Sequence, residues 1–164
     1  MTKEGKHLRK ILLYIYASDS SIYAAKLAIA IAKKYDFLLK AIYVVNESLL
    51  TELLAAKILI PLEKMDFERA LQDDAKRYLN YVSKLAGEKG VEVETLLRKG
   101  IVHTEVIREV ERGGYDLLIQ GELGEVLSLR DATHEEGERI LREVRCPVLV
   151  VRGKEKIDEM FSEV

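Results

Sequence analysis

The chain has 164 residues, 48% of them apolar, a formal net charge of -2 and one cysteine. That length fits one domain with a sizeable core, and the near-neutral charge supplies no field to draw nucleic acid or anionic lipid. Cys146 has no partner cysteine, which excludes an internal disulfide and a cysteine-cluster metal site, and no run approaches the roughly 18 apolar residues of a membrane span. The opening MTKEGKHLRK is charged and lacks the apolar stretch of a secretory signal, so residues 1–8 are expected to be a flexible tail and the cytoplasm the location. Glu occurs 20 times against 8 Asp, while Asn and Gln occur twice each. Such a bias towards ion pairs over labile amides is expected of a thermophilic source.

Residues 11–16 (ILLYIY) form a short apolar run that reads as a strand buried on both faces. Ser18, Asp19, Ser20 and Ser21 follow as helix starters, and IYAAKLAIAIAKKY continues as a helix to about Tyr35. Residues 38–45 (LLKAIYVV) are the second strand. Asn46 or Ser48 is placed to cap a short helix, LLTELLAAKILI, that Pro61 stops or kinks. From Phe67 a helical pattern runs through Ala70, Leu71, Tyr78, Leu79, Val82 and Leu85, with Gly87 and Gly90 ending it. Residues 91–97 alternate as the third strand, and Gly100 turns the chain. Residues 103–112 make a helix with Val106, Ile107 and Val110 inward and Gly113 beyond its end. The fourth strand is 115–120 (YDLLIQ), a helix spans 135–145, and the fifth strand is 146–151 (CPVLVV). In the tail at 154–164, Ile157, Met160, Phe161 and Val164 stand at helical spacing. That spacing suits a short helix docked on its own domain, or a dimer contact.

Strands joined by helices in this alternation must be parallel, giving a doubly wound α/β sheet with helices on both faces. Such sheets bind ligands at the carboxyl ends of their strands, which puts the expected cleft after Tyr16, Val45 and Gly121. Nothing divides residues 9–153, which read as one domain. The leucine-rich stretch at 49–62 lies beside that cleft, as a packed helix, a lid over a ligand or an apolar contact for a partner.

The segments KILLYIYASDSS, AIYVVNES, YDLLIQGELG and CPVLVVR, in this order and spacing, resemble the universal stress protein family over residues 9–153. The resemblance implies a Rossmann-like, adenine nucleotide alpha hydrolase-like sheet of five strands in the order 3-2-1-4-5. It also implies a homodimer paired through the last strand, with residues 148–152 an edge covered by its twin. Members of that family divide into those that bind ATP and those that do not.

The ATP-binding pattern is Gly, two residues, Gly, nine residues, Gly, then Ser or Thr. Gly121 and Gly124 match the first pair, but after EVLSLRDAT the closing positions hold His134 and Glu135. Phosphate loops work because small residues bring backbone N–H groups to the anion and a hydroxyl adds a donor. An ionised Glu135 donates nothing, and Glu122, Glu125, Asp131 and Glu136 face a single loop cation, Arg130. A carboxylate about 4 Å from a phosphate oxygen costs about 1 kcal/mol in water and about 4 near a protein surface. Two or three such contacts offset the roughly 8 kcal/mol of a micromolar affinity. ATP-binding members also place an Asp two residues before the first-turn Ser. Here that Ser is Ser18 and the Asp position holds Tyr16, which can stack on a base but cannot accept from its amino group.

The expected function is therefore a homodimeric binding or regulatory protein that does not hold ATP in the family's usual mode, with no cofactor expected. Its partner would be another protein or a small effector, with no nucleic acid and no membrane. The alternative is an ATP- or AMP-dependent switch, aided by Mg or Mn bridging loop carboxylates to phosphate and capable of slow hydrolysis. The candidate cleft set is Tyr16, Ser18, Val45, Gly121, Gly124, His134 and Glu135. No metal-ligand spacing and no catalytic constellation emerge. His134 and His103 both read as histidines near helix starts, and ASDSS is not the nucleophile elbow of hydrolases.

Overall fold

The computed structural model describes residues 9–123 and 132–164. Strand β1 (Lys10–Ile15) is buried from Ile11 onward, as a central strand covered on both faces must be. It pairs in parallel with β2 (Leu38–Asn46) on one side and β4 (Leu117–Gly121) on the other. Outside these lie β3 (Val93–Gly100) and β5 (Val148–Val151), so the described strands form one parallel sheet in the order β3-β2-β1-β4-β5. Between the strands come α1 (Asp19–Tyr35), α2 (Glu47–Ala55), α3 (Pro61–Glu88), α4 (Val102–Gly113) and α5 (Ala132–Glu143), with α6 (Lys154–Glu163) last. The doubly wound sheet expected from the sequence is the fold observed.

Strand residues alternate between two cores. Ile11, Leu13, Ile15, Tyr43, Val45 and Ile119 meet the alanine-rich face of α1 and the Leu79, Val82 and Leu85 face of α3. Leu12, Tyr14, Val44 and Leu118 meet Val106 and Val110 of α4 and Ile140 of α5. Helix α6 docks on the first core through buried Ile157 and through Phe161, and Asp158 pairs with Lys26 of α1 at 2.7 Å.

Several boundaries differ from the sequence expectation. Pro61 starts α3 and does not stop the helix before it. Its missing N–H is no loss in a first turn, and Glu63 accepts the N–H of Ile60 at 3.2 Å. The long helix therefore begins six residues before Phe67 and runs through Gly87. Strand β3 reaches to Gly100 because β2 pairs with it from Leu39↔Val93 to Asn46↔Gly100, whatever the polarity of Arg98 and Lys99. Gly113 is the last residue of α4, and Gly114 takes the left-handed cap at φ 63°. Strand β5 starts only at Val148, after Pro147, whose carbonyl accepts from Leu118 at 2.9 Å. Among the described residues no helix is long and apolar enough to cross a membrane.

Candidate functional site

The sheet reverses its winding between β1 and β4, so the carboxyl ends of β1, β2 and β4 form the crevice. The turn after β1 is built from serines. Ser18 caps α1 by accepting from the N–H of Ser20, and Ser21 Oγ, fully buried, accepts from the N–H of Tyr16 at 2.9 Å. The Tyr16 hydroxyl crosses to β4, donating to the Glu122 carbonyl at 3.0 Å and standing 2.9 Å from Ser20 Oγ. Burial raises the Tyr16 phenol above its ordinary pKa; the hydrogen bond with Ser20 opposes this and the charge of Glu122 adds to it.

On the β2 side of Tyr16 lies a cavity of about 400 Å³. Strand ends supply Tyr14, Tyr16, Tyr43, Val44 and Val45 to its wall. The remaining wall includes Asn46, Leu49 of α2, Val102 of α4, and Phe67, Ala70, Leu71 and Asp74, which recur along one face of α3. Asn46 caps α2 by accepting from Leu49 at 3.2 Å. Asp74 is the lining carboxylate, and Arg77 pairs with it. Burial holds the Tyr14 phenol well above its ordinary range, with contributions from Tyr16 and the charge of Glu136, and pushes Tyr43 up to about 12. Among the described residues the wall is thus neutral apart from one paired carboxylate, with no lysine or arginine lining it.

The other side of the crevice is acidic. Glu122 pairs with Arg152 at 3.2 Å, and Glu135 stands exposed in the first turn of α5. Glu136 reaches across to α4, where its Oε2 accepts from the backbone N–H of His103 at 2.6 Å and stands 2.6 Å from His103 Nδ1. Helix α4 has no side-chain cap of its own at Ile101, so this carboxylate serves its N-terminus from outside. Arg139 approaches the far ring nitrogen of His103 at 3.5 Å.

A larger hollow of about 630 Å³ opens among Lys10, Lys40, Glu94 and Tyr115 at the opposite end of the strands. There Lys40 is paired with Glu94 at 3.1 Å and with Glu109 at 3.5 Å, and Lys10 donates to the Gly113 carbonyl at 3.1 Å. That end is not where doubly wound sheets hold ligands.

The family model for the universal stress protein family matches residues 7–152. The chain belongs to the universal stress protein family. A universal stress protein of Methanocaldococcus jannaschii is 32% identical over 155 residues, covering 94% of this chain and 88% of that relative. Universal stress protein UspA from Lactobacillus plantarum superposes with a TM-score of 0.71 at 21% identity, covering 88% of this chain and 97% of that one. A universal stress protein family protein from Arabidopsis thaliana, solved with AMP bound, superposes with a TM-score of 0.64 at 16% identity, covering 90% and 94%. At these identities the two structures carry the fold.

For this universal stress protein the residues named from sequence do not gather into one pocket. Tyr16 and Val45 line the cavity, while Ser18 and Gly121 do not and instead lie against Ser20. Gly121 is the last residue of β4 and not part of a tight turn. A Cβ there would meet the backbone of Ser20 at 2.6 Å, so its bareness lets α1 close on the sheet. At Gly137 a Cβ would meet only the end of the Leu123 side chain, which can turn aside. Gly124 lies outside the described residues, as does His7, and of His134 only the helical backbone of α5 is described. Sequence reading missed Tyr14, Tyr43, Phe67 and Val102 as wall residues. Tyr14 precedes Tyr16 by one strand repeat and was legible on that ground.

The Tyr16 tether gives a direct prediction. Tyr16→Phe removes the bond to the Glu122 carbonyl and keeps the ring, and is expected to cost about 1 kcal/mol in urea unfolding. An unchanged midpoint would mean that water replaces the tether at no cost.

Proposed function

We propose that this universal stress protein acts by binding, as a homodimer paired along β5, and does not hold ATP in the manner of a phosphate loop. The observation that carries this reading is the Glu136 carboxylate seated on the His103 N–H, inside a crevice that already holds Glu122 and Glu135. An incoming phosphate meets a negative charge at the helix terminus that would otherwise attract it. The closing positions of the loop, His134 and Glu135, supply no hydroxyl donor. Support for pairing through β5 comes from its place at the sheet edge and from Val150, which is 37% exposed there. The cytoplasm is the proposed location.

The second reading is a nucleotide switch. It is favoured by Gly121 and Gly124 and by the AMP bound in the Arabidopsis relative, with Mg or Mn offsetting the acidic crevice. Calorimetric titration with ATP, with and without Mg or Mn, separates the two. The expected result is no saturable heat under any of these conditions. Micromolar binding would establish the switch.

A further inference from the structure

We propose that the exposed apolar corner between α2 and α3 is a self-association face, which seats the same corner of a second copy of this chain about a twofold axis. This surface is separate from the crevice and from the β5 edge, and it goes beyond the binding reading above.

The corner leaves its apolar side chains outside by construction. Leu50 is fully buried and anchors α2 on the domain. Phe67 and Leu71 turn from α3 to the cavity wall. By helical periodicity Leu62 and Met65 fall on the opposite side of α3. Leu62 is 83% exposed, and Ile58, Ile60 and Met65 are each more than half exposed. Four large apolar residues within eight positions form a patch of a kind that soluble monomers rarely show.

The backbone holds this patch ready. At the end of α2 the Ile58 N–H donates to the Leu53 carbonyl at 3.0 Å and the Lys57 N–H to the Leu54 carbonyl at 3.1 Å, around a left-handed Lys57 at φ 58°. Ile60 then opens α3. Its N–H goes to the Glu63 carboxylate, and its carbonyl takes the N–H groups of Glu63 and Lys64. A corner whose backbone is already tied loses little freedom when it is covered, so most of the gain from burying its side chains is kept.

Charge selects the occupant. Lys57 adjoins Ile58, Asp66 adjoins Met65, and Arg69 stands one helical turn beyond Met65. All three are exposed, and among the described residues none of them has an ion-pair partner. A lipid surface would call for cations alone, and a partner of one charge sign would call for a rim of the other. A rim of mixed sign matches itself. A twofold through Leu62 lays the first turn of α3 over the corner of the second copy. It carries Asp66 of each copy towards Lys57 of the other, so that an apolar centre is flanked by opposite charges. Met65, unbranched and adaptable, fills what space the two corners leave.

Light scattering on the full chain after size-exclusion chromatography reads the mass. With β5 paired as well, the unaltered chain is expected to run as a tetramer and the Leu62→Glu variant as a dimer. That substitution sets two carboxylates face to face across the axis, while an acidic residue suits the first turn of α3. It should weaken the contact by more than about tenfold. Asp66→Lys should also halve the mass, and adding Lys57→Asp should restore it, since Asp tolerates the left-handed backbone there. Circular dichroism checks that each variant is folded. A mass that falls from dimer to monomer on Leu62→Glu would sink the β5 pairing and leave the corner contact standing. A mass indifferent to Leu62→Glu, or not restored by Lys57→Asp with Asp66→Lys, would overturn the proposal. A chain that stays monomeric and sediments with phosphatidylcholine–phosphatidylserine vesicles until Leu62→Glu is introduced would give the face to a lipid surface, which overturns it too.

Discussion

Gly121→Ala is expected to destabilise the protein by about 3 kcal/mol, the upper end of what an added methyl costs in a close-packed site. The added carbon would lie 2.6 Å from the carbonyl carbon and oxygen of Ser20, which are backbone atoms of the first turn of α1. A side chain rotates away from such a contact, but a helix end held by Ser18, Ser21 and the Tyr16 tether does not. For a chain of this size the loss corresponds to a fall in Tm of roughly 6–12 °C. Gly87→Ala is the matched control. It sits in the last turns of α3 with nothing within 4 Å of its Cβ position, and should gain about 0.5–1 kcal/mol. The pair decides what Gly121 is for. A large loss of stability explains the glycine by helix–sheet packing alone and removes half of the sequence argument for a phosphate loop. A neutral result would mean that α1 yields, and would return Gly121 to the list of anion-binding candidates.

The architecture was legible because each element carries its own signal. ILLYIY and LLKAIYVV announce buried parallel strands, and the alanines of α1 announce a helix against a sheet. Edges were less legible because a partner sets them. Arg98, Lys99 and Gly100 belong to β3 only because β2 continues alongside, and no pattern within their own segment says so. Pro61 was ambiguous on physical grounds, since a residue without N–H suits a helix start as well as a helix stop. The site was legible by position and not by membership. Strand ends pointed to Tyr16 and Val45, yet α3 contributes Phe67, Ala70, Leu71 and Asp74, and the periodicity that reveals that helix does not say which strand ends it covers. The His103–Glu136 contact joins residues 33 apart on separate helices, and one sequence cannot reveal such a pairing.

Gln120→Met should stabilise the protein by about 1–2 kcal/mol, raising Tm by roughly 2–8 °C. Gln120 is fully buried on β4, and neither its amide nitrogen nor its carbonyl oxygen finds a hydrogen-bond partner among the described residues. An amide taken from water without compensation costs about 1–3 kcal/mol on the evidence of protein mutants. Methionine has similar length and fills the same space without polar atoms. The side chain lies under α5, its nitrogen 3.7 Å from where a Cβ on Gly137 would stand. In the sequence this glutamine reads as the last residue of the fourth strand, YDLLIQ. Nothing local shows that this strand end is buried when the covering helix begins twelve residues later, at Ala132. Thermal unfolding of the two forms measures the difference. A loss of more than 1 kcal/mol, against the expected gain, would show that the amide is satisfied in solution by ordered water or a ligand. Gln120 would then belong to the functional crevice, as a hydrogen-bonding group facing α5.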